Sequence, residues 1–246
     1  MNFTAFGLAS LLGMAASVPA LAEPAHPTIR HMASVPSTMS LDAARTALLV
    51  VDFQNEYFGA DAASGFSGGR MVIPDGVAAL QQARRLVQFA DTNGIRVIHV
   101  QHVLPASAPL FAQGSINAAF HRDLQPRHGE TVVQKDTVSV FAGDSAAVLD
   151  KVLRDAGIDT LIVAGLQTHA CVAGAARDAA AAPRGYRVIV SSDATASRDL
   201  DLSNGRSIDH RTLHEASLAQ IEDTFGDVMT TDAILALPVR TSSEGA

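Results

Sequence analysis

The sequence predicts an α/β protein, a single Rossmann-like three-layer domain with a mostly parallel sheet and helices on both faces. Two observations predict the fold. Apolar runs such as 46–51 and 160–165 show no polar alternation, the mark of strands buried on both sides. Helical stretches with one apolar side separate them, which is how parallel strands are connected. A third observation bears on function: reactive residue types recur just where those runs end, on the rim where such sheets bind ligands.

Residues 1–22 carry no charged side chain, and an apolar stretch from about residue 5 to residue 18 leads into Pro19-Ala-Leu-Ala22. That is the pattern of a secretory signal peptide with its small-residue cleavage site, the cut expected after Ala22. The stretch is shorter than the roughly 20 residues of a membrane span. Export, to the periplasm, is therefore expected, with no stable membrane association after cleavage. Residues 23–41 contain Pro, Ser and His without periodicity and read as a flexible tether. The domain is expected over 42–240.

Within it, a strand over 46–52 ends in an acid. Pro74-Asp75 opens a helix that runs to Thr92 and closes at Asn93-Gly94. A strand follows over 95–101, then an irregular segment over 102–130 holding Pro105, Pro109, Gly114 and Pro126. A segment that long inside a domain reads as a wall or lid that sets substrate choice. A short strand over 131–134 ends at Lys135. A helix over 144–156 stops at Gly157. Then come a strand over 160–165, an Ala-rich helix with Cys171 in its first turn, and a strand over 186–191. A helix over 211–225 and a strand over 227–230 close the domain.

The net charge of −7, the lack of a basic cluster, the absence of Trp and only two Tyr argue against nucleic acid as a partner. One cysteine in 246 residues leaves no internal disulfide framework. A free thiol in an oxidising compartment needs either burial or a use.

Asp52, Lys135 and Cys171 lie at or just after three strand ends. A helix N-terminus favours a thiolate and offers N–H groups to an oxyanion. A carboxylate at Asp52 can take the thiol proton, and an ammonium at Lys135 holds negative charge on either partner. The chain has 16 Arg and only two Lys, which draws attention to Lys135; Lys151 reads as surface. Taken singly, each of the three reads as structural rather than catalytic, Cys171 as a small buried thiol and Asp52 as a polar strand end. Their convergence on one rim carries the functional reading, hydrolysis of an amide through a thioester.

The motifs Leu48-Leu-Val-Val-Asp-Phe-Gln-Asn-Glu56, Val133-Gln-Lys135 with Ser139-Val-Phe141, and Gly165-Leu-Gln-Thr-His-Ala-Cys-Val172 resemble those of the isochorismatase-like cysteine hydrolases. That family includes nicotinamidases and N-carbamoylsarcosine amidohydrolases. The resemblance runs from about residue 46 to residue 235. It implies a catalytic triad of Asp52, Lys135 and Cys171 and a cis peptide between Leu166 and Gln167. It also implies an oxyanion site at the Gln167 and Cys171 N–H groups, and a homo-oligomer acting on a small amide or carbamoyl substrate. By motif position Gln54, Tyr57, Phe58 and Phe141 are expected to bind substrate, with His102 at the pocket mouth. Glu56 departs from the family's usual Asp, which bears on pocket shape.

Nicotinamidases of that family hold a divalent metal through Asp-x-His and further histidines. Here Ile98-His-Val-Gln-His102 lacks the Asp, and His99 and His102, three apart on a strand, face opposite ways. No metal or other cofactor is expected; His99 reads as a satisfied core residue and His169 as a turn residue. Two further readings stand beside the hydrolase: a thiol-based redox sensor, and a non-catalytic binding protein on the same fold.

Overall fold

The computed structural model describes residues 24–63 and 65–241; the expected signal peptide and its cleavage site lie outside them. The chain runs through α1 (Ile29–Met32), β1 (Leu41–Asp42), β2 (Thr46–Val51), α2 (Gly76–Asn93), β3 (Arg96–His102) and β4 (Thr131–Lys135). It continues through α3 (Gly143–Asp155), β5 (Thr160–Leu166), a π-helical turn (Thr168–Val172), α4 (Ala173–Ala180) and β6 (Arg187–Ala196). Last come β7 (Leu200–Asp201), β8 (Ser207–Ile208), α5 (His210–Thr224), β9 (Asp227–Met229), α6 (Thr231–Leu235) and β10 (Val239–Arg240).

Six strands form one parallel sheet in the order β4-β3-β2-β5-β6-β9. Every residue of β2 is buried, because its two faces serve different cores. Leu48 and Val50 pack with Leu80, Ala83 and Leu86 of α2. Ala47, Leu49 and Val51 pack on the other side with Leu149 of α3, Ala176 of α4 and Ile221 of α5. This is the three-layer arrangement expected, and it explains why the strand shows no alternation. Gly165 lets β5 approach β2: a Cβ there would lie 2.5 Å from Val51 Cβ and 2.7 Å from its carbonyl oxygen.

Three expectations need correction. The strand expected to end at residue 191 continues as β6 to Ala196, resuming its pairing with β5 after a register shift, Leu166 opposite Ala196. Cys171 sits in the π-helical turn that precedes α4. And the described part of 23–41, expected as a tether, is fixed to the far edge of the sheet. Arg30 pairs with Asp227 at 2.7 Å, and the Thr38 N–H and hydroxyl donate to the same carboxylate at 2.8 and 2.6 Å. A buried carboxylate needs such donors, and it recruits them from 189 and 197 residues away. The pieces α1, α6, β1, β7, β8 and β10 are too short to show any periodicity in sequence.

Candidate active site

Three strand ends meet at one rim. Asp52 follows β2 with φ of +54°, a left-handed backbone that non-glycine residues seldom adopt; its N–H donates to Val100 O and its carbonyl accepts from the Gln54 N–H. Lys135 ends β4, two strands away, and its stem crosses the end of β3. Its Nζ lies 2.8 Å from Asp52 Oδ2, 3.4 Å from Cys171 Sγ, 3.1 Å from Thr137 O and 3.1 Å from His102 Nδ1. Both side chains of the ion pair are fully buried. The Leu166–Gln167 peptide is cis. Its Gln167 carbonyl accepts from Ala170 N at 3.1 Å and Val172 N at 3.2 Å, which pins the turn that carries Cys171.

Burial, reinforced by the Asp52 charge, pushes the Cys171 thiol up to about 12, although Lys135 opposes the rise. The resting sulfur is therefore a thiol, with the Asp52 carboxylate beside it to receive its proton. Burial pulls the Lys135 ammonium down, but Asp52 first, and then its contact with Cys171, more than offset this and raise it. Burial, and then the Lys135 charge, lower His102, so its neutral Nδ1 accepts from the lysine. The chemistry available is proton transfer from sulfur to a carboxylate with a fixed cation beside both.

The expected pocket residues divide. Tyr57 faces the site: burial first, then its neighbours Cys171 and Asp52, raise its phenol well above the ordinary value. His102 is on the rim, stacked on Phe111 at 4.6 Å between ring centroids. Gln54 is not available to substrate. Its amide donates to His102 O and Ala118 O and accepts from the His102 N–H, so it ties β3 to the covering loop. Phe58 packs against His121 with the two rings tilted at 49°. Phe141 lies under the Arg184 guanidinium and beside Tyr186. His99 donates or accepts at Glu130 through Nε2, but its buried Nδ1 has no partner, so it is only half satisfied.

Sequence reasoning missed Phe111, Met71 and Arg198. Met71 Sδ is 4.0 Å from Gln167 Nε2. Arg198 follows the C-terminal end of β6 and, after burial, is the second cause lowering His169, two residues before the thiol. Its Nε is buried without an acceptor. Nothing in a sequence reports an unpaired buried donor; the only signal was position, two residues past a strand end on the same rim.

Asp52, His102 and Cys171 bring three possible metal-ligand atoms within 4.8 Å of one another. Lys135 Nζ, however, lies within 3.4 Å of a polar atom of each. An ammonium already holds the place a cation would take, so this donor set does not fit a metal.

Among known proteins, the isochorismatase domain matches residues 46–233. The chain is 31% identical over 208 residues to a secreted isochorismatase effector of Verticillium dahliae, covering 84% of this chain and 98% of that protein. It is 30% identical over 202 residues to maleamate amidohydrolase of Pseudomonas putida, covering 76% and 83%. An isochorismatase of solved structure from Pseudomonas putida superposes with a TM-score of 0.73 at 25% identity, covering 85% of this chain and 98% of that one.

Proposed function

The chain belongs to the isochorismatase family of hydrolases, and on that premise we propose that it cleaves the C–N bond of a small, non-peptide amide or carbamoyl compound through a thioester on Cys171. The supporting observation is the single ammonium of Lys135 within 3.4 Å of both the Asp52 carboxylate and the thiol.

Asp52 takes the thiol proton as Sγ attacks the carbonyl carbon. The oxyanion is assigned to the N–H groups of Gln167 and Cys171. Collapse breaks the C–N bond, and Asp52 returns its proton to the departing nitrogen. Asp52 then takes a proton from water, hydroxide attacks the thioester, the C–S bond breaks and the acid leaves with the thiol restored. Throughout, Lys135 keeps negative charge on the carboxylate and sulfur tolerable in a site closed to solvent.

Arg198 adds a substrate feature. Its buried, unpartnered Nε beside His169 calls for an acceptor, and an acid group on the amide supplies one. Export is part of the same reading, supported by the pattern of residues 1–22 and by the name of the Verticillium relative. Edman sequencing of secreted protein should begin at Glu23. The homo-oligomer rests on the resemblance alone and is read by sedimentation.

The test is ammonia release from a panel of small amides, with and without an acid group, by the wild type and Cys171→Ala. Release by the wild type alone, fastest with acid-bearing amides, supports the reading. Equal release by Cys171→Ala refutes it.

A further inference from the structure

The triad is shut in: Asp52 is 0% exposed, Lys135 3% and Cys171 4%. Substrate reaches the thiol only if a wall moves. Two walls stand beside the reacting groups on the side of Tyr57 and Gln167. One is Met71, whose sulfur is 4.0 Å from Gln167 Nε2. The other is Phe111, stacked on His102 and edge-on to Tyr57 at 5.4 Å.

One side chain bonds both walls, beside backbone bonds from Met71 N to Glu56 O at 3.1 Å and from Leu104 N to Phe111 O at 2.9 Å. Glu56 is 1% exposed, on the short 3-10 turn Asn55–Tyr57 that also carries Tyr57. Its Oε1 accepts from the Arg70 N–H at 2.8 Å and from Asn117 Nδ2 at 3.2 Å. Its Oε2 accepts from the Phe111 N–H at 3.1 Å. Thus one carboxylate bonds the residue before Met71 and Phe111 itself. Phe111 has φ of +49°, a conformation costly for a bulky side chain, which persists only where neighbours impose it. The approach on the Met71 side is equally tight: a Cβ on Gly69 would lie 2.1 Å from Glu56 O.

The geometry points to Glu56 as a positioning residue, the clasp that holds the Met71 and Phe111 walls closed beside Cys171 and sets how often the thiol is reachable. Hydrogen bonds to a buried carboxylate are among the stronger ones in a protein, so their loss shifts an opening equilibrium substantially. The inference rests on where the thiol lies and what covers it, whichever bond the enzyme cleaves.

Because Cys171 is the sole cysteine, iodoacetamide labelling followed by intact mass reads one site in the full chain. Glu56→Gln, with the charge removed and the size kept, should be labelled about tenfold faster than the wild type. Its pH midpoint for labelling should stay where the wild type has it. Phe111→Ala, which removes a wall and leaves the clasp, should be labelled faster too. If Glu56→Gln fails to fold by circular dichroism, Phe111→Ala carries the test. Folded variants labelled within about twofold of the wild type would overturn the inference. So would a gain in rate explained by a shifted pH midpoint, since that would make Glu56 an electrostatic influence on the thiol.

Discussion

Replacing Lys135 with methionine keeps the stem of the side chain and removes the ammonium. Asp52 is then left fully buried, 2.8 Å from where its counter-charge stood. At that distance, with an effective dielectric near 20, the lost attraction is about 6 kcal/mol. Part of it is recovered because one ion no longer needs to be desolvated, and breaking one side of a buried pair costs about 3–5 kcal/mol in practice. That is a large fraction of a stability on the order of 5–15 kcal/mol. In the double variant Asp52→Asn, Lys135→Met no buried charge remains, so stability should recover by about 2 kcal/mol or more over the single variant. Activity should be lost in both. Urea unfolding of the three proteins at neutral pH, with amide turnover measured on the same samples, reads both quantities. A single variant within about 1 kcal/mol of wild type, or a double variant no more stable than the single, would refute the reasoning.

Gly165→Ala forces a methyl group against Val51 between two central strands, and should cost about 1–3 kcal/mol; an unchanged melting temperature would contradict the close approach. Burial alone would raise the Asp227 carboxyl, but the Thr38 and Arg30 donors hold it below the usual range. Its stabilisation is therefore present above the ordinary carboxylate pKa and lost as pH falls through the lowered folded value. Asp227→Asn should lower stability at neutral pH and flatten the acid limb of the melting curve, and an unaltered limb would count against the anchor. Arg198→Met should slow turnover of acid-bearing amides while sparing neutral ones; equal losses on both would remove Arg198 from substrate recognition.

The layers of the fold were legible because continuous apolar runs and one-sided helices follow directly from burial, and those patterns are local. So was the rim: Asp52, Lys135 and Cys171 each mark a strand end, and parallel strands put such ends on one side. What lay hidden depends on pairings far apart in sequence. Gln54 reads as a pocket residue by its motif, but its amide is consumed by the backbone of His102 and Ala118. The anchoring of Thr38 and Arg30 on Asp227 could not be seen in a segment without periodicity. Glu56 showed only as a departure from a motif, whereas its role as a clasp appears once residues 70 and 111 are brought to it.

The central claim is a covalent acyl intermediate on sulfur. Once an amide that releases ammonia is in hand, the reaction is quenched in acid within a turnover and the intact protein and its peptides are weighed. The mechanism predicts an added mass equal to the acyl group, mapped to Cys171, that disappears as the acid product forms and never appears in Cys171→Ala. Full turnover by the wild type with no adduct at any quench time would contradict it.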